Sequence, residues 1–111
     1  MPEMDPMVAK RRELQTKLET ILGSKNVYFQ PPSNIKLKYP CFIYNRTSPY
    51  TLKADDTNYL IRGHYQLTYI SSNVEKCMEM MTTLLGSFDH ISVERQFISD
   101  NLNHDVYNLF Y

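Results

Sequence analysis

Apolar residues recur at three- and four-residue steps across residues 5–22, where Met7, Val8, Leu14, Leu18, Ile21 and Leu22 fall between charged side chains. This spacing predicts an amphipathic helix. Asp5 is its candidate N-cap, Pro6 occupies the first helical position, where a missing N–H costs nothing, and Gly23 supplies a left-handed stop. The pattern then shortens. Val27, Tyr28 and Phe29 read as a brief strand closed by Pro31 and Pro32, and residues 35–39 and 41–45 form a second extended stretch that Pro40 marks as an edge or a kink. Residues 59–70 carry the clearest alternation: Tyr65, Leu67 and Tyr69 fall on one side, His64, Gln66, Thr68 and Ile70 on the other, as expected of a central strand. Ser72 followed by Glu75 is a capping-box spacing that opens a second helix, with Val74, Cys77, Met78, Met81, Leu84 and Leu85 on one face and Gly86 as its stop. Two further strands, residues 92–98 and 104–111, are predicted to pair as a hairpin through residues 99–103, whose Asp100, Asn101 and Asn103 provide turn chemistry.

Helix, short strand, strand, loop, strand, helix, strand, strand is the order of an α+β fold. It predicts one antiparallel or mixed sheet of about four to five strands with two helices packed on it. The stretch between the strand candidates, residues 46–58, holds Ser48-Pro49, Lys53 and Asp55-Asp56 with few apolar residues, and reads as a long exposed hairpin loop. A loop of that length is uncommon in a compact domain unless it is functional or ordered by a partner; a tolerated insertion is the alternative. At 111 residues the chain has room for a single domain, residues 1–111. Such a domain leaves enough surface open for neighbouring subunits to matter to its stability.

Charge narrows the function classes. Twelve basic and twelve acidic side chains cancel, which removes the global field that would draw nucleic acid or an anionic membrane, so any DNA contact must be local. Nine tyrosines and no tryptophan suit half-buried strands and protein interfaces. The first residues lack a signal-peptide layout and no apolar run approaches the roughly 18 residues that span a bilayer, so a protein made in the cytoplasm, without a membrane partner, is expected.

A search for catalytic chemistry yields little. Cys41 and Cys77 form no C-x-x-C pair and read as buried small hydrophobes. His64, His90 and His104 show no metal-binding spacing, and Gly23, Gly63 and Gly86 are isolated, so no phosphate-cradling loop is present. Asp55 and Asp56 are adjacent, and neighbouring side chains on extended chain point apart, which argues against a catalytic pair. Lys10-Arg11-Arg12 splays around its helix as a solvated face, and Met78, Met80 and Met81 read as a core stripe rather than an adaptable binding groove. No catalytic, cofactor or metal residue is therefore assigned, and the chain is read as a non-enzyme.

Four runs carry a resemblance: YPCFIY at residues 39–44, ADDTNY at 54–59, RGHYQLTYI at 62–70 and DNLNHDVYNLFY at 100–111. Together they resemble the small tail-completion and tail-terminator proteins of long-tailed bacteriophages and prophages. The resemblance covers roughly residues 39–111, and its strand-and-turn motifs specify a fold family rather than an activity. It implies a ring of six subunits in the tail or neck of the virion that caps the tail tube, meets the head-tail connector and lets DNA pass as cargo. In such rings the long loop reaches a neighbouring ring or the tube. By position, Tyr50, Lys53, Asp55 and Asp56 become candidate contacts, with Arg46, Tyr59 and Arg62 flanking them. A different connector or stopper subunit, or a tube protein that stacks into open polymers, is the competing expectation; a small host-directed enzyme or regulator is disfavoured by the absence of a site. A closing ring needs a heterologous interface, for which strand edges and tyrosine-rich surface are suitable material.

Overall fold

The computed structural model describes residues 5–47, 50–53 and 59–111. Helix α1 spans Pro6–Leu22 and is capped as its sequence predicts: Asp5 Oδ1 accepts from the Met7 and Val8 amides at 2.8 and 3.3 Å, and Gly23, at φ 80°, donates to Glu19 O at 2.8 Å. Leu14 and Leu18 are fully buried, with Ile21 and Leu22 packed at the margin.

Strand β1 (Val27–Phe29) runs parallel to β2 (Cys41–Arg46) with Val27 opposite Phe42. Residues 35–39, expected as extended strand, take no place in a ladder. The sides of β2 are taken by β1 and by β5 (His64–Ser71), so no edge remains for them, and the prolines on either side bring no N–H. The strand expected over 59–70 is broken at Gly63. Its first half, β4 (Tyr59–Arg62), pairs with β3 (Tyr50–Lys53) in a separate two-stranded ribbon, so part of the expected loop is strand. Gly63 itself is tied to the end of the chain, donating to Tyr111 O at 3.1 Å and accepting from Tyr111 N at 2.9 Å.

β5 is the central strand, as its alternation predicts. It leads into α2 (Val74–Ser87), where the cap is Asn73 rather than Ser72: its side chain accepts from the Glu75 and Lys76 amides at 2.9 and 3.3 Å. Gly86 does not stop this helix but sits within its last turn. The helix carries on until Phe88, whose amide bonds to Leu84 O at 3.3 Å, and the ring turns into the core against Tyr111. β6 (Ile91–Ser99) and β7 (Leu102–Phe110) then form the expected hairpin, but around the two residues Asp100 and Asn101, at φ 52° and 63°. Two left-handed residues make the tight connection that matches strand twist.

The main sheet is mixed, in the order β1-β2-β5-β7-β6, antiparallel except for β1 with β2. Register places Phe42, Tyr44, Tyr65, Leu67, Tyr69, Tyr107 and Leu109 on one face, and these form a single buried cluster with Leu14 and Leu18 of α1 and Cys77 and Leu84 of α2. Both helices therefore cover the same face. Burying about 100 Å² of apolar area contributes on the order of 2.5 kcal/mol, so these aromatic-rich strands supply most of what fixes the helices.

Candidate interaction surface

Chemistry-bearing side chains are spent on structure. His64 Nδ1 lies 2.6 Å from Thr47 Oγ1 and Nε2 3.2 Å from Asn108 Oδ1, with the ring stacked on Phe110 at 4.2 Å. His104 stacks on Phe97 at 4.6 Å, its Nδ1 3.0 Å from Leu102 O. Burial pushes the Cys41 thiol up to about 11 and moves Cys77 in the same direction, so neither ionises readily. Among the described residues no three His, Cys, Asp or Glu side chains come together as a metal site, and no helix is long and apolar enough to cross a membrane.

The basic run is not wholly a solvated face. Lys10 lies over the Tyr111 ring at 5.0 Å and Arg11 over Phe29 at 4.7 Å, while Arg11 Nη1 donates to Tyr44 OH at 3.3 Å. Tyr44 OH in turn donates to Gln15 Oε1 at 2.6 Å. This chain ties α1 to the sheet, and burial raises the Tyr44 hydroxyl above its ordinary value.

The candidate interface residues divide. Arg46 ends β2, exposed, its amide donating to Gln30 Oε1 at 3.0 Å, and it lines a small cleft with Met7, Val8, Arg11, Phe29 and Tyr65. Tyr50 and Arg62 are cross-strand partners in the ribbon, and so are Lys53 and Tyr59; the ribbon thus brings four of the seven together. Asp55 and Asp56 lie outside the described residues.

A second surface escaped sequence reasoning. The apolar face expected on α2 is wider than the core it meets: Cys77 and Leu84 turn inward, but Val74, Met78 and Leu85 stay open, Met78 to 66%. The methionines separate accordingly, Met80 and Met81 against the core and Met78 outside it. Across from α2, edge strand β6 leaves Val93, Phe97 and Ile98 open, Ile98 to 72%. Among the described residues, six of the nine large apolar side chains left exposed therefore lie on these two elements. Between them runs a groove of about 740 Å³, lined by Val74, Met78, Leu85 and Ile98 together with Gln96 and Asp105. Asp105 is 5% exposed; burial raises its carboxyl, against which a hydrogen bond from Gln96 and the nearby His104 pull it down. The signal in the sequence was Phe97-Ile98: two adjacent apolar residues on a strand cannot share one face, so one must be uncovered unless both faces are packed.

Compared with known proteins, the chain matches no family model, no curated protein and no solved structure.

Proposed function

We propose that this chain is a structural subunit that assembles with copies of itself into a ring closing the tail tube of a long-tailed phage and joining it to the head connector. The observation that carries self-assembly is the nine-residue edge strand β6, unpaired on its outer side among the described residues and flanked by the open apolar stripe of α2. A long exposed strand edge templates pairing with another chain, and a contiguous apolar patch of this kind marks an interaction surface. The phage context rests on the resemblance of residues 39–111 to tail-completion proteins. Neutral net charge fits a part that recognises protein and lets DNA pass.

Light scattering and negative-stain imaging of the full chain, alone and with preassembled tail tubes, test this reading. A discrete ring on tube ends is the expected result. Long tubes formed by the chain alone would make it a tube protein instead, and a monomer that ignores tubes would remove the reading's main support.

A further inference from the structure

We propose that copies of this chain join head to tail, the β3–β4 ribbon of one lying along the free edge of β6 and over the α2–β6 groove of the next. The inference rests on the self-assembling reading above and names the contact that would produce it.

The first argument is complementarity. The ribbon register pairs Tyr50 with Arg62 and Leu52 with Leu60, and strand alternation places these four positions on one face, with Thr51, Lys53, Tyr59 and Ile61 on the other. Three of these four register positions are occupied by tyrosine or leucine and the fourth by an arginine. The groove offers apolar walls at Val74, Met78, Leu85 and Ile98 and one carboxylate, Asp105, which among the described residues no lysine or arginine approaches within ion-pair distance. A buried carboxylate gains most from a desolvated, hydrogen-bonding cation, and a guanidinium offers a two-pronged donor for it.

The second argument is backbone. A two-stranded ribbon is marginal by itself and becomes stable with a third strand or a packed face. Among the described strands, β3 and β4 pair with no others and β6 has a neighbour on one side alone. Joining a ribbon edge to β6 satisfies main-chain donors and acceptors on both, and places alternate ribbon side chains over the helix-covered face where the groove lies.

The third argument is position. The ribbon leaves the main sheet where Arg46 pairs with Tyr65 and His64 with Phe110, whereas the groove sits at the opposite end, where Ser71 pairs with Asn103 and the β6–β7 turn lies. The eight residues of β5 separate these ends by roughly 25 Å, and four-residue ribbon strands reach about 13 Å at some 3.3 Å per residue. The described ribbon strands therefore fall short of their own groove, and the proposed contact is with another copy. Contact between two different surfaces is heterologous, which yields a ring if the rotation closes and a filament if it does not.

The test uses the full-length chain in sedimentation velocity across a wide concentration range. Met78→Glu with Ile98→Glu charges the groove at two exposed sites, and Leu52→Glu with Leu60→Glu charges the ribbon; circular dichroism checks that each variant is folded. Each double variant should weaken self-association about 100-fold, as expected for charges placed within an apolar contact. Mixed together, they retain one intact ribbon and one intact groove, so they should form a one-to-one pair of about 26 kDa, twice 13.1 kDa, and stop there. Rings or polymers that survive either set of substitutions, or a mixture that stays monomeric, would overturn the contact while leaving ring formation standing. A wild-type chain that remains at 13.1 kDa throughout would also overturn it. Imaging with tail tubes would then decide the ring reading independently.

Discussion

Replacing Gly63 by alanine probes the junction where the ribbon meets the main sheet. No left-handed backbone calls for glycine here; the constraint is room. A Cβ at this position would lie 2.6, 2.7 and 2.8 Å from Tyr65 Cε2, OH and Cζ, roughly 1 Å inside ordinary carbon contact. The Tyr65 ring is not free to swing away. It is 4% exposed, with Tyr44 edge-on at 5.6 Å and Phe29 at 6.5 Å. Either the ring leaves this packing or the backbone shifts and loosens the two Gly63–Tyr111 hydrogen bonds. Overpacking of this kind costs about 1–3 kcal/mol, and for a domain near this length each kcal/mol lowers the melting midpoint by roughly 4–8 °C. Urea unfolding followed by far-ultraviolet circular dichroism measures the loss. Tyr65→Leu removes the clashing ring, so in the Gly63→Ala, Tyr65→Leu double variant the two costs should fall short of their sum by about 1 kcal/mol or more. Additivity within about 0.5 kcal/mol would refute the clash as the reason glycine is required.

Other substitutions test the core and its polar inclusions. Leu18→Ala removes a fully buried anchor of α1 and should cost about 2–5 kcal/mol in the same unfolding assay, while α2 retains its packing. The Tyr107 hydroxyl is buried and has no hydrogen-bond partner among the described residues, and burial drives its ionisation far above the ordinary range. Tyr107→Phe should therefore leave stability unchanged or raise it by about 1 kcal/mol; a loss would mean that the hydroxyl has a partner in solution. Asp105 is held above its ordinary value of 3.8 by burial, with Gln96, His104, Cys77, Tyr69 and Tyr107 around it. The folded state then binds this proton more tightly than the unfolded chain, so stability from this group is complete below the ordinary value and is lost as pH rises through the folded value. Urea midpoints of wild type and Asp105→Asn should diverge in that window, the variant gaining, and run parallel above it. A constant difference across the window would show that Asp105 does not titrate in this way.

The elements legible in the sequence were those whose local chemistry and core contacts agree. α1 has its cap, its proline and its stop where propensity puts them, and its stripe meets β1 and β2. β5 alternates because one face meets both helices. Errors arose where tertiary geometry outweighed a local signal. Gly86 resembles a helix stop, but Phe88 packs against Tyr111, and two more helical residues, Gly86 and Ser87, bring it there. The unbroken polar-apolar run at residues 59–70 conceals the division at Gly63, because alternation continues across a junction between two sheets and does not record which strand is its partner.

The candidate surface was harder to see for a related reason. Periodicity identifies which residues of α2 share a face but not how wide the opposing layer is, and the sheet meets that face only as far as β6. Val74, Met78 and Leu85 therefore satisfy the pattern of core residues while overhanging the edge of the core. Edge strands give the same ambiguity: Phe97 and Ile98 look like buried strand residues and are exposed because the sheet ends with them. An apolar excess over what one chain can cover is what a subunit shows when part of its core belongs to its neighbour. In the proposed assembly the two misjudged features, strand β3 taken for loop and the overhanging stripe taken for core, belong to the two sides of one contact.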